Sequence, residues 1–266
     1  MDFDTLRLIE NEAERVNALY SIFTEDERLN RSQAARVEFL TTIKYIEQYT
    51  APGCKILDIG AGAGEYSVYL ANQGHCVTAV ELADDNIKAF KQKLTPELNI
   101  DLHQGNALDL SMFDDAAFDV VLLFGPLYHI ADAAQRTQCI HEARRVCKPG
   151  GIIFIAYISN DMVILTETFK YNAAYLTQGD YDKASFKVKD FPFVFKTVTE
   201  ARDEVMRHGI TLLHAVASDG VSELLDEKIN ALDAESYQQY LNYHFYCCEK
   251  PEMLGRSNHL LFAGRN

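Results

Sequence analysis

The chain has 266 residues, of which 48% are hydrophobic, and its formal net charge is −14 at pH 7. This length and composition fit one large α/β domain with additional covering segments, or two small domains. Lysines and arginines are scattered among acids rather than gathered in a basic patch, which disfavours a nucleic-acid partner.

The first 50 residues are predicted to form a helical cover. The start, MDFDTLRLIENEAER, lacks the basic residues and apolar core of a signal peptide. No apolar run approaches the ~18–20 residues of a membrane span, so we expect a cytoplasmic protein that does not enter a membrane. Ser32 is predicted to cap a helix. One face of that helix carries four apolar residues: Phe39, Leu40, Ile43 and Ile46.

Residues 51–266 alternate short apolar runs with helical stretches. The runs are KILDIG, CVTAVEL, FDVVLLF and GIIFIAYI. Runs this apolar, separated by helices, are typical of parallel strands that are covered on both faces. Further on, ITLLHAVAS and NHLLFAG are predicted to be strands as well.

Two segments interrupt this alternation. Residues 160–197 concentrate aromatic side chains in an otherwise polar stretch, and residues 221–250 have a helical pattern. We expect both to cover the substrate at the ligand-binding edge of the sheet. For 160–197, an additional helical layer packed on the core is an equally good interpretation.

The stretch KILDIGAGAGEYSVYL places glycines at every second position: Gly60, Gly62 and Gly64. A dinucleotide-binding loop, G-x-G-x-x-G, requires its third glycine at position 65, which is Glu65 here. An acid at a helix start opposes a pyrophosphate, and Asp58 adds a second carboxylate. The loop therefore favours a cationic ligand without phosphate, such as S-adenosylmethionine with its sulfonium and ammonium groups.

Glu81 ends the next predicted strand, 21 positions after the first glycine. An acid at this point can accept hydrogen bonds from both hydroxyls of a ribose. The feature does not separate S-adenosylmethionine from nicotinamide cofactors, because enzymes of both kinds use it.

Five motifs follow one another at characteristic spacing: LDIGAGAGEYS, AVEL, QGNALDL, FDVVLLFGPLYHI and RVCKPGGIIFIAY. In this order they resemble the class I S-adenosylmethionine-dependent methyltransferases, from about residue 45 through 160. The resemblance implies an α/β fold over 51–266, Rossmann-like and doubly wound, with a mostly parallel seven-stranded sheet, an antiparallel last strand and helical caps. It implies S-adenosylmethionine as cofactor, S-adenosylhomocysteine as product, and no metal.

The same resemblance implies a role for each matching residue. Asp58 and the loop backbone would hold the methionine end, Glu81 the ribose, and Asn106, where the family commonly has Asp, the polar edge of adenine. Phe124 would present a backbone carbonyl to the ammonium group. The full set of predicted cofactor-binding residues is Asp58, Gly60, Ala61, Gly62, Glu81, Leu82, Asn106, Ala107 and Phe124.

The FGPLYHI segment bears on the methyl acceptor. Phe124 has no side-chain acceptor for an amine, which disfavours methylation of glutamine or adenine N6. The segment resembles that of many small-molecule methyltransferases. His129 is the predicted catalytic residue, because a pKa near neutrality would let it take a proton from the acceptor. Alternatively, His129 only bonds the backbone or begins a helix, and Tyr128 either lines the site or packs in the core.

Three further residues are candidate substrate contacts. Asp219 follows a strand at its carboxyl end, and His259 begins the last strand, which is antiparallel in the family, at the same edge. Tyr20 would close over the cofactor from the N-terminal helices. The alternatives are a turn carboxylate for Asp219 and an exposed polar residue for His259.

These observations predict a methyltransferase that acts on an O or N atom of a small molecule. The alternative is a non-catalytic sensor or scaffold that binds S-adenosylmethionine or S-adenosylhomocysteine. A nucleic-acid or protein methyltransferase is disfavoured. A nicotinamide dehydrogenase is opposed by Glu65, and an aminopropyl transferase by the lack of paired acids in FGPLYHI. The identity of the acceptor and the oligomeric state are not predicted.

Overall fold

A computed structural model describes residues 3–23, 25–26 and 28–266. The helices are α1 (Phe3–Arg7), α2 (Glu12–Tyr20), α3 (Gln33–Ile46), α4 (Glu65–Asn72), α5 (Asp84–Lys93), α6 (Pro126–His129), α7 (Ala133–Val146), α8 (Asn160–Thr166), α9 (Tyr175–Gln178), α10 (Val198–Arg207), α11 (Asp226–Asn230), α12 (Ala234–Cys247) and α13 (Pro251–Leu254), with a π-helical turn at Glu167–Tyr171. The strands are β1 (Lys55–Ile59), β2 (Cys76–Glu81), β3 (Ile100–Gln104), β4 (Phe118–Leu123), β5 (Cys147–Ser159), β6 (Phe195–Lys196), β7 (Thr211–Ala217) and β8 (His259–Arg265).

The strands form one sheet in the order β3-β2-β1-β4-β5-β8-β7. All neighbours along this path are parallel except β8, which runs antiparallel to both β5 and β7. The predicted Rossmann-like, mostly parallel sheet with an antiparallel last strand is confirmed. The sheet has an eighth member, because the two residues of β6 pair with the end of β5.

Helices cover both faces of the sheet, which explains the apolar runs of the central strands. Successive side chains of a strand point to opposite faces. In β1, Leu57 and Ile59 therefore join the core on one face, and Ile56 joins the core on the other. All three are fully buried.

The N-terminal region is helical, as predicted, and α3 begins where the sequence indicates. The side chain of Ser32 accepts a hydrogen bond from the backbone N–H of Ala35, which caps the helix. Phe39, Ile43 and Ile46 are buried on the face that meets the sheet.

Residues 160–197 carry α8, the π-helical turn, α9 and β6, and they have a small apolar core of their own. That core is built from Ile164, Tyr181, Val188 and Phe195. This agrees with an additional layer beside the sheet, one of the two interpretations of the segment.

Two further properties concern the whole described part of the chain. Within it, no helix has both the length and the apolarity to cross a membrane. The six cysteines are free thiols, and four of them are buried: Cys139, Cys147, Cys247 and Cys248.

The chain order of the strands creates a cleft at the carboxyl ends of β1 and β4. From β1 the chain proceeds outward to β2 and β3, and then returns to place β4 on the other side of β1. Ligands of open α/β sheets bind where the order reverses in this way. The glycine loop after β1, Glu81 at the end of β2 and Phe124 after β4 all meet at this edge.

Candidate active site

The glycine loop connects β1 to α4 and is held against the end of β2. The backbone N–H groups of Gly60 and Ala61 donate to the carbonyl oxygen of Val80 over 2.8 and 3.1 Å. Gly60 has a φ of 73°, and a Cβ there would lie 2.6 Å from Cδ of Pro126. Only glycine allows the loop to approach the segment after β4 this closely.

Glu81 is buried, and it binds the loop as well as the start of α5. Its Oε2 accepts from the Gly62 N–H over 2.7 Å, and its Oε1 accepts from the Ala83 N–H over 2.8 Å. Burial raises the pKa of Glu81, although these bonds act in the opposite direction. The partners that a buried acid requires are thus within the protein, and a carboxylate oxygen with one bond can still accept a ribose hydroxyl.

Asp58 is 1% exposed and has one satisfied oxygen. Its Oδ2 accepts from Ser67 Oγ over 2.7 Å, whereas its buried Oδ1 has no partner among the described residues. Burial and the nearby charge of Glu81 raise the pKa of Asp58 to about 7, against the effect of the Ser67 hydrogen bond. Asp58 contributes to a cavity wall, where the ammonium group of a ligand would supply the missing partner.

The cavity has a volume of about 680 Å³. Every predicted cofactor-binding residue lies on its wall: Asp58, Gly60, Ala61, Gly62, Glu81, Leu82, Asn106, Ala107 and Phe124. The Oδ1 of Asn106 accepts from the backbone N–H of Leu108 over 3.0 Å. Its amide N–H₂ is therefore the group left to meet an adenine edge.

Glu65 also lies on this wall, but its negative charge is already paired within the protein. The carboxylate forms an ion pair with Lys93 and a hydrogen bond with the amide of Asn30. The predicted repulsion between Glu65 and a pyrophosphate is offset by this pairing, so the case for a cationic ligand depends on Asp58.

His129 ends α6 and is 8% exposed. Its Nε2 is hydrogen-bonded to the Tyr20 hydroxyl over 2.8 Å, and the rings of Tyr128 and Phe193 lie against it at 5.0 and 5.3 Å. Burial, and to a smaller extent the charge of Arg15, lower the pKa of His129 to about 3. The expectation of a near-neutral pKa was wrong, because it ignored the cost of charging a buried imidazole.

The N-terminal helix α2 lies along the cavity and is joined to the sheet domain by three hydrogen bonds. The first is the Tyr20–His129 bond. Asn17 Oδ1 accepts from the Asp84 N–H over 3.0 Å, and Glu12 Oε2 accepts from the Ala131 N–H over 3.1 Å. Residues 10–20 supply much of the cavity wall; we refer to α2 and these contacts as the N-terminal cover.

Four charged side chains, three of them on the cavity wall, form what we call the charged cluster: Arg28, Glu38, Asp219 and His259. The guanidinium of Arg28 donates to both oxygens of Glu38, over 2.7 and 3.2 Å. His259 Nδ1 lies 2.8 Å from Asp219 Oδ2 and 3.3 Å from Glu38 Oε2.

The pKa values within the cluster reflect these contacts. Burial alone would lower the pKa of His259, but the charges of Glu38 and Asp219 raise it to about 9. Burial alone would raise the pKa of Asp219, but His259 lowers it. Asp219 is thus not a simple turn carboxylate, and His259 is not an exposed polar residue.

Glu38, Asp219 and His259 have ligand atoms within 4.8 Å of one another, which is an arrangement able to hold a metal ion. The carboxylate of Glu38 already accepts a hydrogen bond from Arg28. His259 Nδ1 forms ion pairs with the carboxylates of Glu38 and Asp219. The three groups therefore satisfy one another through hydrogen bonds and ion pairs.

Not all of the candidate substrate contacts line the cavity. Tyr20, Tyr128 and His259 line the cavity, and Asp219 stands behind His259. The segments 160–197 and 221–250 contribute no described residue to this cavity wall, and their role in covering the substrate stays a prediction. The nearest approach is Phe193 beside His129. Arg28 and Glu38 were missed, because nothing in the sequence distinguishes Arg28 before α3 or Glu38 within α3 from surface charges.

Residues 57–155 match the family model described as a methyltransferase domain. The chain is 31% identical over 134 residues to a ubiquinone biosynthesis O-methyltransferase of Hydrogenovibrio crunogenus, and the match covers 50% of this chain and 52% of that protein. A protein of the same name from Caulobacter vibrioides is 30% identical over 139 residues, covering 52% and 49%. The chain spans about half the length of the curated relatives it matches.

Solved structures share the fold over most of the chain. An S-adenosylmethionine-dependent methyltransferase from Methanosarcina mazei has a TM-score of 0.55 at 19% identity, covering 84% of this chain and 96% of that one. The cyclase SpnF has a TM-score of 0.61 at 16% identity, covering 96% of both chains. The fold alone therefore does not assign the reaction.

Proposed function

We propose that this chain is a class I S-adenosylmethionine-dependent methyltransferase and that it transfers a methyl group from S-adenosylmethionine to an oxygen or nitrogen atom of a small molecule. The match of residues 57–155 to a methyltransferase domain supports the first part. The observation that carries the proposal is Asp58. Its Oδ1 is buried without a partner on the wall of a cavity that also holds Glu81. An ammonium group and a ribose are the complements of these two carboxylates.

The cofactor half of the site is proposed to work as follows. Asp58 Oδ1 accepts from the ammonium group, and the backbone of the loop from Gly60 to Gly62 lies against the methionine chain. Glu81 accepts from the ribose hydroxyls, and the N–H₂ of Asn106 donates to a ring nitrogen of adenine. Leu82, Ala107 and Phe124 supply the apolar wall. When bound, the cofactor would supply a methyl group on a positively charged sulfur. A lone pair of the acceptor would attack the methyl carbon on the side opposite the sulfur, and the sulfur would leave with the electrons of the broken bond.

His129 is proposed to orient the acceptor. With a pKa of about 3 it is neutral near pH 7, so its Nε2 can accept a hydrogen bond from an acceptor hydroxyl in place of the bond to Tyr20. The surrounding rings of Tyr20, Tyr128 and Phe193 exclude water. An enclosed acceptor site favours a small molecule, in line with the named function of the relatives.

The second candidate is a protein that binds S-adenosylmethionine or S-adenosylhomocysteine without transferring the methyl group. It is favoured by the low pKa of His129, which leaves this residue a weak base near neutrality. Binding without transfer to any member of a metabolite panel would select this candidate. The six free thiols fit a reducing compartment such as the cytoplasm for either candidate.

Calorimetry with S-adenosylmethionine, S-adenosylhomocysteine and NAD tests the cofactor assignment. We expect both adenosyl ligands to bind near micromolar, about −8 kcal/mol, and NAD not to bind. Glu81→Ala removes a charged acceptor, worth about 1.5–3 kcal/mol, and is expected to weaken binding about tenfold to a hundredfold. Glu97→Ala, at an exposed acid, is the matched control, and His129→Ala is expected to leave the affinity unchanged. Binding of NAD in preference to both adenosyl ligands would refute the assignment.

A further inference from the structure

Three members of the charged cluster, Arg28, Glu38 and His259, lie on the cavity wall. Arg28 also pairs over 2.7 Å with Glu25, whose side chain approaches Gly62 of the glycine loop. The members of the cluster come from separate parts of the chain: Arg28 precedes α3, Glu38 lies within α3, Asp219 follows β7, and His259 begins β8. None of them is explained by the binding of the cofactor as proposed above. Buried charges are costly unless they are paired, so their grouping on a cavity wall calls for a role.

Most hydrogen-bonding capacity in the cluster is used internally. Both oxygens of Glu38 accept from Arg28. Asp219 Oδ1 accepts from Ser257 Oγ and from the backbone N–H of His259, and its Oδ2 bonds His259 Nδ1. The carboxylates therefore face other members of the cluster.

His259 differs from the two carboxylates, because one of its two ring nitrogens has partners within the cluster and the other has none among the described residues. Nδ1 lies between the carboxylates of Asp219 and Glu38, so Nε2, on the other side of the ring, points away from them. The side chain is 22% exposed and lies on the cavity wall. Among the described residues, none accepts a hydrogen bond from Nε2.

We propose that His259 is a cation whose Nε2–H binds an anionic oxygen of the methyl acceptor, which makes the acceptor an acidic small molecule. A carboxylate and an acidic phenol or enol share this chemistry. The inference rests on the proposed function in one respect, namely that the ligand of this part of the cavity is the methyl acceptor. Asp219 and Glu38 are positioning residues, since they hold the proton on Nδ1 and aim Nε2.

The charges around His259 agree with this assignment. Glu38 from α3 and Asp219 from the end of β7 favour its cationic form, and Arg28 opposes it. His244 of α12 faces Asp219, and burial lowers its pKa, so it adds no competing positive charge near neutrality. The pKa of His259 is raised to about 9 as the net result. A metal ion at the same three residues would need Nδ1 without its proton and Glu38 without Arg28.

The test uses histidine nitrogen NMR on the full chain saturated with S-adenosylhomocysteine. Two pairs of ligands serve as probes, each an acid and its neutral isostere: benzoate with benzamide, and acetate with acetamide. The His259 signals, assigned by their loss in His259→Gln, are expected to show an imidazolium at neutral pH. At least one acid is expected to shift the Nε2–H signal and to bind about tenfold or more tightly than its amide. His259→Gln is expected to abolish that preference, and His141→Gln, at an exposed histidine, to retain it.

Several results would overturn the proposal. One is a neutral His259 near pH 7. Others are amides that bind as tightly as their acids, and acids that leave the Nε2–H signal unchanged up to their solubility limits. The last is stoichiometric uptake of zinc that depends on His259. Asp219→Asn provides a second measurement, because it should lower the midpoint of His259 titration and reduce the preference for acids. Binding of S-adenosylhomocysteine is measured in the same samples, so a failure of the cofactor assignment is seen separately.

Discussion

Replacing Asp58 by Asn is expected to stabilise the ligand-free protein and, at the same time, to weaken binding of S-adenosylhomocysteine about tenfold to a hundredfold. The first effect follows from the cost of ionising this buried carboxyl group. A rise in its pKa from 3.8 to about 7 penalises the ionised form by an amount on the order of 4 kcal/mol. The amide can still accept from Ser67, but its own N–H₂ lacks a partner, so we expect a net gain of about 1–3 kcal/mol.

The pH dependence gives the sign of the effect. Between pH 3.8 and about pH 7, the carboxyl group of Asp58 binds more protons in the folded state than in the unfolded state. The contribution of this group to the free energy of unfolding therefore falls as the pH rises through that window. Ligand binding runs in the opposite direction, because the ammonium group requires the ionised carboxylate. Affinity in the unmodified protein should therefore rise between about pH 6 and about pH 8.

Urea denaturation without ligand, together with calorimetry over the same pH range, measures both effects of the Asp58 substitution. Asp114→Asn, at an exposed acid, is the control and should change neither quantity. A variant that binds S-adenosylhomocysteine as tightly as the unmodified protein would show that Asp58 does not meet the ammonium group.

Gly64→Ala is expected to lower the free energy of unfolding by about 2–5 kcal/mol, from two separate causes. Gly64 has a φ of 85°, in the left-handed region that disfavours a Cβ by about 1–2 kcal/mol. In addition, the new Cβ would lie 2.4 Å from the ring of Phe90, so the ring or the loop must move.

Gly74→Ala separates these two causes. Gly74 has nearly the same φ, 86°, but nothing lies within 4 Å of the position of its Cβ. It should lose only the backbone contribution, about 1–2 kcal/mol. Equal losses in the two variants, measured by urea denaturation, would contradict the packing argument. The third glycine of the loop thus serves the contact between α4 and α5, as the close approach to Phe90 indicates.

The sheet could be predicted from the sequence because its central strands are buried on both faces. Runs such as FDVVLLF have few other interpretations, and glycines mark the loop after β1. The edge strand β3 carries no such signal. Its sequence, IDLHQ, is half polar and largely accessible to solvent, so the residues themselves do not indicate a strand paired with β2.

The gathering of the predicted cofactor-binding residues on one cavity wall was predictable for a similar reason, since they lie within motifs at fixed distances from strand ends. The charged cluster, proposed to meet the acceptor, was only partly predictable. Asp219 and His259 were placed at one edge of the sheet by the topology, but nothing in the sequence pairs them with Glu38, the one acid of α3, because the contact joins segments far apart along the chain. The pKa of His129 was misjudged, because burial is a property of the folded environment and not of the FGPLYHI segment.

The N-terminal cover has a consequence for the timing of the proposed reaction. α2 contributes to the cavity wall and is joined to the rest of the fold by three separate hydrogen bonds, so we expect these bonds to break when one adenosyl compound is exchanged for another. Such openings are slower than side-chain motions and often limit turnover. Departure of the spent adenosyl compound, rather than transfer of the methyl group, is therefore the step we expect to set the rate at saturating substrate.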